Sequence, residues 1–238
     1  MKKKIKILLV STVMMFLLTL PILASADAVS WSTETYSAYA YSQYNSGQNQ
    51  QEVFGPPLPI SAYASSNFGI DASSSSITST GMNIWSHAEP TSVMWSANSN
   101  AVAEFSGTFT AVAPVFQFAY AYAYDAYGGT SAQYSGNDKF WISVYDSTDS
   151  ISLYNYTINF TSDGSASDVL NIYTSSGHNI DVDFGIQANS YLIDNKQVDG
   201  ASINLTYGTA VAPEPISSIL FITGGSLLAG RRFLRKKA

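Results

Sequence analysis

Apolar and polar side chains alternate along most of the chain between residues 101 and 207. The clearest case covers residues 116–124, where five aromatic rings alternate with small or polar side chains. A period of two places those rings on one face of a β-strand, whereas helical spacing would scatter them around the axis. We predict a strand here with its aromatic row in the core; the alternative is a row of rings that stacks against sugars.

Shorter segments repeat this pattern, with turn signals roughly every ten residues. Further strands are predicted at 31–41, 105–112, 140–145, 153–160, 169–173, 180–186 and 202–207, and short strands or irregular structure are expected around Ile70 and Ile77. Residues 47–51 are predicted to form a polar loop, and Gly107 is expected to break the strand that contains it. Short strands joined by such turns predict an all-β domain, a β-sandwich or jelly-roll-like fold.

The first 26 residues have the pattern of a secretory signal peptide. Lys2, Lys3, Lys4 and Lys6 precede an apolar segment, residues 7–20, that ends at Pro21. Ala24 and Ala26 fit the small-x-small cleavage pattern, so cleavage would leave Asp27 as the new N-terminus.

The C-terminal end holds a second apolar segment. Residues 216–230 form an uncharged run that follows Pro213, Glu214 and Pro215. Five cations come after it: Arg231, Arg232, Arg235, Lys236 and Lys237. A spanning helix needs about 20 apolar residues, or about 17 at the short end, and Phe233 can extend the run while arginines snorkel past it. We predict a transmembrane helix whose basic cluster stops transfer and stays cytoplasmic.

These three parts, in this order over residues 213–238, resemble the PEP-CTERM sorting signal of bacterial surface and exported proteins. The resemblance implies that an exosortase, a transpeptidase-like membrane protease, recognises Pro213, Glu214 and Pro215. It also implies a Gram-negative source and an association with exopolysaccharide or biofilm. An ordinary C-terminal membrane anchor is the alternative, since it needs the same apolar helix and basic end.

The body between the two ends, residues 27–212, is acidic. It holds 16 acidic residues against Lys139 and Lys196 and has no arginine, which gives −14 where the whole chain has −6. Nucleic-acid binding is excluded because it needs clustered cations, and an anionic lipid surface would repel the body. This charge suits divalent cations or neutral partners such as glycans. Because the chain has no cysteine, the body depends on its hydrophobic core or on metal ions for stability.

No motif singles out a catalytic site. The chain lacks a cysteine nucleophile, a G-x-S-x-G elbow and a Walker sequence, and His87 and His178 stand apart with no third ligand at metal spacing. No catalytic residue and no cofactor is therefore assigned, apart from one calcium hypothesis.

That hypothesis concerns Asp181 and Asp183, which lie two residues apart on a predicted strand and so share a face. With Asp163, Asp168 or Asn179 nearby, they could hold Ca²⁺ through oxygen ligands. The alternative is a solvated strand face opposite the apolar residues 180, 182 and 184.

The sequence thus predicts three segments: a signal peptide (1–26), a β-sandwich (27–212) and a sorting signal (213–238). We expect an exported, non-enzymatic surface or matrix protein, held transiently in the inner membrane and then cut near Pro213, Glu214 and Pro215. Sixteen tyrosines and four tryptophans leave open a carbohydrate-binding module with the same tail. An extracellular hydrolase is the third alternative.

Overall fold

The computed structural model describes residues 27–44, 47–66, 72–89, 97–127, 138–192 and 199–212. Their regular structure is β-strand, and no helix within them has the length and apolarity that a membrane crossing requires. The predicted signal peptide with Ala24 and Ala26, the motif Pro213, Glu214 and Pro215, the apolar run and the basic cluster lie outside the described residues. Asp27 is the first residue described.

The strands form two antiparallel sheets. In chain order they are β1 (Asp27–Ala28), β2 (Thr33–Tyr44), β3 (Gly47–Gly55), β4 (Ile60–Ser65), β5 (Ala72–Thr78), β6 (Gly81–Ala88), β7 (Ala97–Thr110), β8 (Val115–Tyr127), β9 (Lys139–Asp146), β10 (Ile151–Asn159), β11 (Gly164–Tyr173), β12 (Asn179–Leu192) and β13 (Asp199–Ala212). The seven-stranded sheet has the order β11-β8-β13-β6-β5-β4, with β1 beside β13. The six-stranded sheet has the order β10-β9-β12-β7-β2-β3. The predicted all-β sandwich is confirmed.

Alternating burial along the strands builds the core between the sheets. On β8, Phe116 and Phe118 are fully buried, Tyr120 and Tyr124 are nearly so, and Tyr122 is half-buried. The predicted inward orientation of this aromatic row is confirmed. Burial raises the pKa of Tyr120 to about 12, so its phenol stays neutral and contributes as a core side chain.

Strand β7 runs through Gly107 without interruption, so the prediction that this glycine breaks the strand is wrong. A methyl group on Gly107 would lie 2.6 Å from the ring of Phe105 and 2.8 Å from that of Trp31. The Trp31 ring packs edge-on against Phe105, with centroids 4.9 Å apart. The glycine therefore makes room for Trp31 at the end of the core.

Residues 47–51, predicted as a polar loop, instead begin strand β3. The polar sequence hid this strand because β3 ends the six-stranded sheet, where most of its side chains meet solvent. Asn49 Nδ2 donates to the carbonyl of Ser65 at 3.2 Å, and the N–H of Tyr63 donates to Gln51 Oε1 at 2.8 Å. These bonds join β3 to β4, the end strand of the other sheet.

The opposite side of the sandwich lies between β10 and β11, which end the two sheets there. Tyr154 and Tyr156 pair with Val144 and Ile142 of β9, which are fully buried. Yet Tyr156 is 38% exposed and Tyr154 is half-buried. The aromatic edge of the core is therefore open to solvent along this side.

Candidate ligand-binding face

Among the described residues, six aromatic side chains point outward from the six-stranded sheet. They are Tyr39 and Tyr41 on β2, Phe54 on β3, Trp141 and Tyr145 on β9, and Tyr191 on β12. Phe54 is 63% exposed, whereas Trp141 is half-buried. Rings grouped on one surface mark an interaction site more often than scattered ones do. We call this surface the outer aromatic face.

The indole of Trp141 lies over Gly185 on the neighbouring strand β12. A methyl group on Gly185 would lie 2.5 Å from the indole and 2.6 Å from the carbonyl oxygen of Ala103. Only a residue without a side chain lets the ring approach the sheet this closely. Gly185 therefore fixes the height and the orientation of Trp141 on the face.

Two carboxyl groups hold the indole from one side. Trp141 Nε1 donates to Asp183 Oδ1 at 2.7 Å, and Glu104 of β7 lies near Asp183 on the same face. Partial burial and then the neighbouring Asp183 carboxyl group raise the pKa of Glu104 to about 7, although the charge of Lys139 opposes the shift. Glu104 therefore holds its proton to a higher pH than an isolated carboxyl group does.

The Lys139 ammonium lies on the same ring. Its Nζ atom is 5.1 Å from the centroid of Trp141, within the range of a cation–π contact. Lys139 is one of only two cations in residues 27–212. The centre of the face thus combines an aromatic ring, a carboxyl pair and one ammonium group.

Amide side chains line the face beside the rings. Gln50, Tyr41, Asn100 and Asn189 stand side by side in register across β3, β2, β7 and β12. The hydroxyl of Tyr41 donates to Gln43 Oε1 at 2.6 Å. Amides offer both donors and acceptors, which suits a ligand rich in hydroxyl groups. Gln50 is the exposed member, whereas the amide oxygen of Asn100 and the amide nitrogen of Asn189 are buried. This row of three amides and Tyr41 was missed in the sequence because its members come from four separate strands.

Asp181 and Asp183 share the outer face of β12, opposite the buried Ile180, Val182 and Phe184. Their side chains accept hydrogen bonds from protein donors: Asp181 Oδ1 takes the hydroxyl of Thr108 at 2.7 Å, and Asp183 takes the indole of Trp141. Asp163, Asp168 and Asn179, named with them as further ligands, bond elsewhere: to Ala126, to Val169 and to Thr110. Calcium at Asp181 and Asp183 stays a prediction.

Within the described ranges, the carboxylates and histidine that do converge are Asp146, Asp149 and His178. His178 Nδ1 lies 2.8 Å from Asp146 Oδ2 and 3.7 Å from Asp149 Oδ2. Asp146 Oδ1 accepts the backbone N–H groups of Thr148 and Asp149. Burial alone would raise the pKa of Asp146, but the hydrogen bonds from His178 and from these N–H groups lower it. The cluster therefore fastens the turn after β9 to the start of β12.

The outer side of the seven-stranded sheet has a different surface. A shallow depression of about 600 Å³ is lined largely by small side chains, among them Ala119, Ala121 and Ser167. Further along, Trp85 stacks on His87 with ring centroids 5.7 Å apart. His87 Nε2 lies 3.6 Å from Glu89. On this side Trp85 stacks on a histidine, whereas Trp141 on the outer aromatic face bonds a carboxylate.

No protein-family model matches the chain, and no curated protein matches it. Among solved structures it is similar to TmCBM61 in complex with β-1,4-galactotriose, at 12% identity over 52% of this chain and 80% of that one, with a TM-score of 0.25. It is also similar to CBM28, a carbohydrate-binding module specific for non-crystalline cellulose, at 12% identity over 55% and 80%, with a TM-score of 0.26.

A third similar structure comes from carbohydrate-binding modules of the β-sandwich superfamily. It is 10% identical over 79% of this chain and 94% of that one, with a TM-score of 0.23.

Proposed function

We propose that this chain is an exported, non-catalytic surface protein whose sandwich binds a polysaccharide on the outer aromatic face. The observation that carries the proposal is the half-buried Trp141 ring, which lies over Gly185 and donates its N–H to Asp183. An indole fixed in this way offers a flat apolar surface to the C–H face of a sugar ring. The neighbouring carboxyl and amide groups can meet the sugar hydroxyls.

The carboxyl pair supports binding rather than hydrolysis. A glycosidase places its two carboxyl groups on either side of the scissile bond. Glu104 and Asp183 instead lie near each other on one face of the sheet, on the neighbouring strands β7 and β12. Asp183 is also engaged by the indole N–H. The pair therefore positions Trp141.

Export and sorting complete the proposal. The signal peptide directs the body across the inner membrane, and the apolar run with its basic cluster holds the chain there. An exosortase then cuts near Pro213, Glu214 and Pro215, and the acidic body reaches the cell surface or the matrix. The order of motif, helix and basic end in the sequence supports this step. A polysaccharide-binding body fits an association with exopolysaccharide.

Paired tryptophan variants test the binding proposal. Residues 27–212, which hold the whole described core, are purified as the parent, as Trp141→Ala and as Trp85→Ala. Each is applied to a glycan array and then titrated with the glycans that the parent retains. Trp85 is a matched control because it is a half-buried tryptophan on the outside of the other sheet.

We expect Trp141→Ala to weaken binding by about tenfold or more, which corresponds to about 1.4 kcal/mol, and Trp85→Ala to leave it unchanged. Thermal unfolding of all three proteins separates lost binding from lost folding. A parent that retains no glycan, or a parent whose binding depends on Trp85 and not on Trp141, would refute the proposal.

A further inference from the structure

The Lys139 ammonium on the outer aromatic face is held by weak contacts. It lies 5.1 Å from the Trp141 centroid, and it forms no ion pair with any carboxylate of the described residues. A lysine chain has four rotatable bonds and a strongly hydrated head, so such a contact is readily exchanged with solvent. Lys139 therefore marks a position for an ammonium group over the Trp141 ring.

The surroundings of this position attract cations. The carboxyl pair of Glu104 and Asp183 lies beside the ring, and Asp181 follows on the same face of β12. The field of the whole body has the same sign, since residues 27–212 carry a net charge of −14 with no arginine. Such a field raises the local concentration of cationic ligands and repels anionic ones.

We propose that the preferred ligand is a polysaccharide with free amino groups, and that its ammonium replaces that of Lys139 over Trp141 beside Glu104 and Asp183. This inference rests on the proposed function and narrows it to an amino-sugar polymer that is at least partly deacetylated. The sugar ring stacks on the indole, and its ammonium meets the carboxyl pair. Lys139 acts as an internal competitor for the same position in the free protein.

The experiment compares cationic, neutral and anionic oligosaccharides of equal length. Residues 27–212 are titrated by calorimetry with glucosamine oligomers, with the same oligomers fully N-acetylated, and with glucuronate oligomers, at low and at high salt. We expect the amine-bearing oligomers to bind most tightly and the glucuronate oligomers not to bind. The preference for amines should shrink as salt rises, because screening acts on the charge contribution alone.

Two sets of variants locate the effect. Lys139→Met removes the ammonium and keeps an apolar stem, and we expect it to tighten amine binding about two- to fivefold, whereas Lys139→Arg keeps a cation and gives no gain. The double variant Glu104→Gln/Asp183→Asn keeps the shape of the pair without its charge and should abolish the preference for amines. The charge-matched control Asp125→Asn/Asp168→Asn lies on exposed residues elsewhere and should retain the preference.

The outcomes separate this inference from the function beneath it. Equal affinity for amine-bearing and N-acetylated oligomers, both dependent on Trp141, would overturn the inference and leave polysaccharide binding intact. A preference for amines that the Glu104/Asp183 variant retains would also overturn it, since the charge would then come from elsewhere. Failure of all three oligomers to bind would also overturn the inference, whereas glycan binding that does not depend on Trp141 would refute the proposed function itself.

Discussion

The hydroxyl of Tyr124 on β8 donates a 2.7 Å hydrogen bond to Oδ2 of Asp138, which directly precedes β9 in the other sheet. Asp138 is 1% exposed, and its second carboxylate oxygen accepts the N–H of Asn189 on β12 at 2.7 Å. Its carbonyl oxygen accepts the N–H of Phe160, whose ring stacks on Tyr124 at 4.7 Å. One buried carboxylate therefore links the two sheets.

Removing the Tyr124 hydroxyl should destabilise the sandwich. Tyr124→Phe leaves the buried carboxylate short of a donor, which costs about 1–3 kcal/mol. Urea unfolding of residues 27–212 measures the change in the free energy of unfolding. Tyr173→Phe is the control, because Tyr173 is 72% exposed and should change stability by less than about 0.5 kcal/mol. Equal stability of the two variants would contradict the inter-sheet role.

Gly185→Ala should destabilise the six-stranded sheet by about 1–3 kcal/mol through overpacking. The new methyl group would meet both the Trp141 indole and the Ala103 carbonyl oxygen. Gly208→Ala is the matched control on β13, since a methyl group there meets no atom within 4 Å. In the double variant Gly185→Ala/Trp141→Ala only the contact with the Ala103 carbonyl oxygen remains. Gly185→Ala should therefore lower the free energy of unfolding less in the Trp141→Ala background than in the parent. A harmless Gly185→Ala would show that the indole does not rest on this glycine.

The raised pKa of Glu104 predicts a pH dependence of stability. Its ordinary value is 4.5 and its value in the folded protein is about 7, so folding favours the protonated form. The resulting stabilisation is complete below about pH 4.5 and is lost as pH rises through about 7. Glu104→Gln cannot ionise, so its free energy of unfolding should fall less between pH 5 and pH 8 than that of the parent. Glu52→Gln, at an exposed position, should follow the parent.

The lowered pKa of Asp146 predicts that stability falls as the pH is lowered, the opposite direction to the effect of Glu104. A depressed carboxyl pKa stabilises the fold above the ordinary value of 3.8, and this contribution is lost as pH falls through the depressed value. His178→Ala removes one of the bonds that depress it, so acid unfolding should begin at a higher pH. His87→Ala is the control, because the carboxylate near His87 is Glu89 and not Asp146. Identical acid unfolding of the His178 variant and the parent would contradict the role of the Asp146–His178 bond in joining the turn after β9 to β12.

The sorting proposal predicts a defined processed protein. Intact-mass measurement on surface extracts should find a chain that starts at Asp27 and ends near Pro215. Glu214→Ala should leave uncut precursor in the membrane without affecting the sandwich, whereas Ser218→Ala, a comparable exchange inside the apolar run, should be processed normally. Normal processing of the Glu214 variant, or a mature protein that keeps the basic cluster, would favour a permanent membrane anchor.

Binary alternation predicted the aromatic row of β8 and the apolar side of β12, because each of these strands has one fully buried face. It missed β3, since an end strand with solvent on most of its side chains has little hydrophobic signal. The sequence also marked Asp183 as an outward carboxylate. Its partners Glu104 and Trp141 could not be found, because they lie far away along the chain and meet only through the register of β7, β12 and β9.

The two open sides of the sandwich differ in how firmly the end strands of the two sheets are joined. Asn49 and Gln51 fasten β3 to β4, while Tyr154 and Tyr156 leave the β10–β11 side open to solvent. Local unfolding should therefore begin with separation of β10 from β11, while β3 and β4 stay together. Amide protons of β10 and β11 would then exchange with deuterium well before those of β2 and β7. Separation of β10 from β11 can then occur while Trp141, Gly185 and Asp183 keep their positions on β9 and β12.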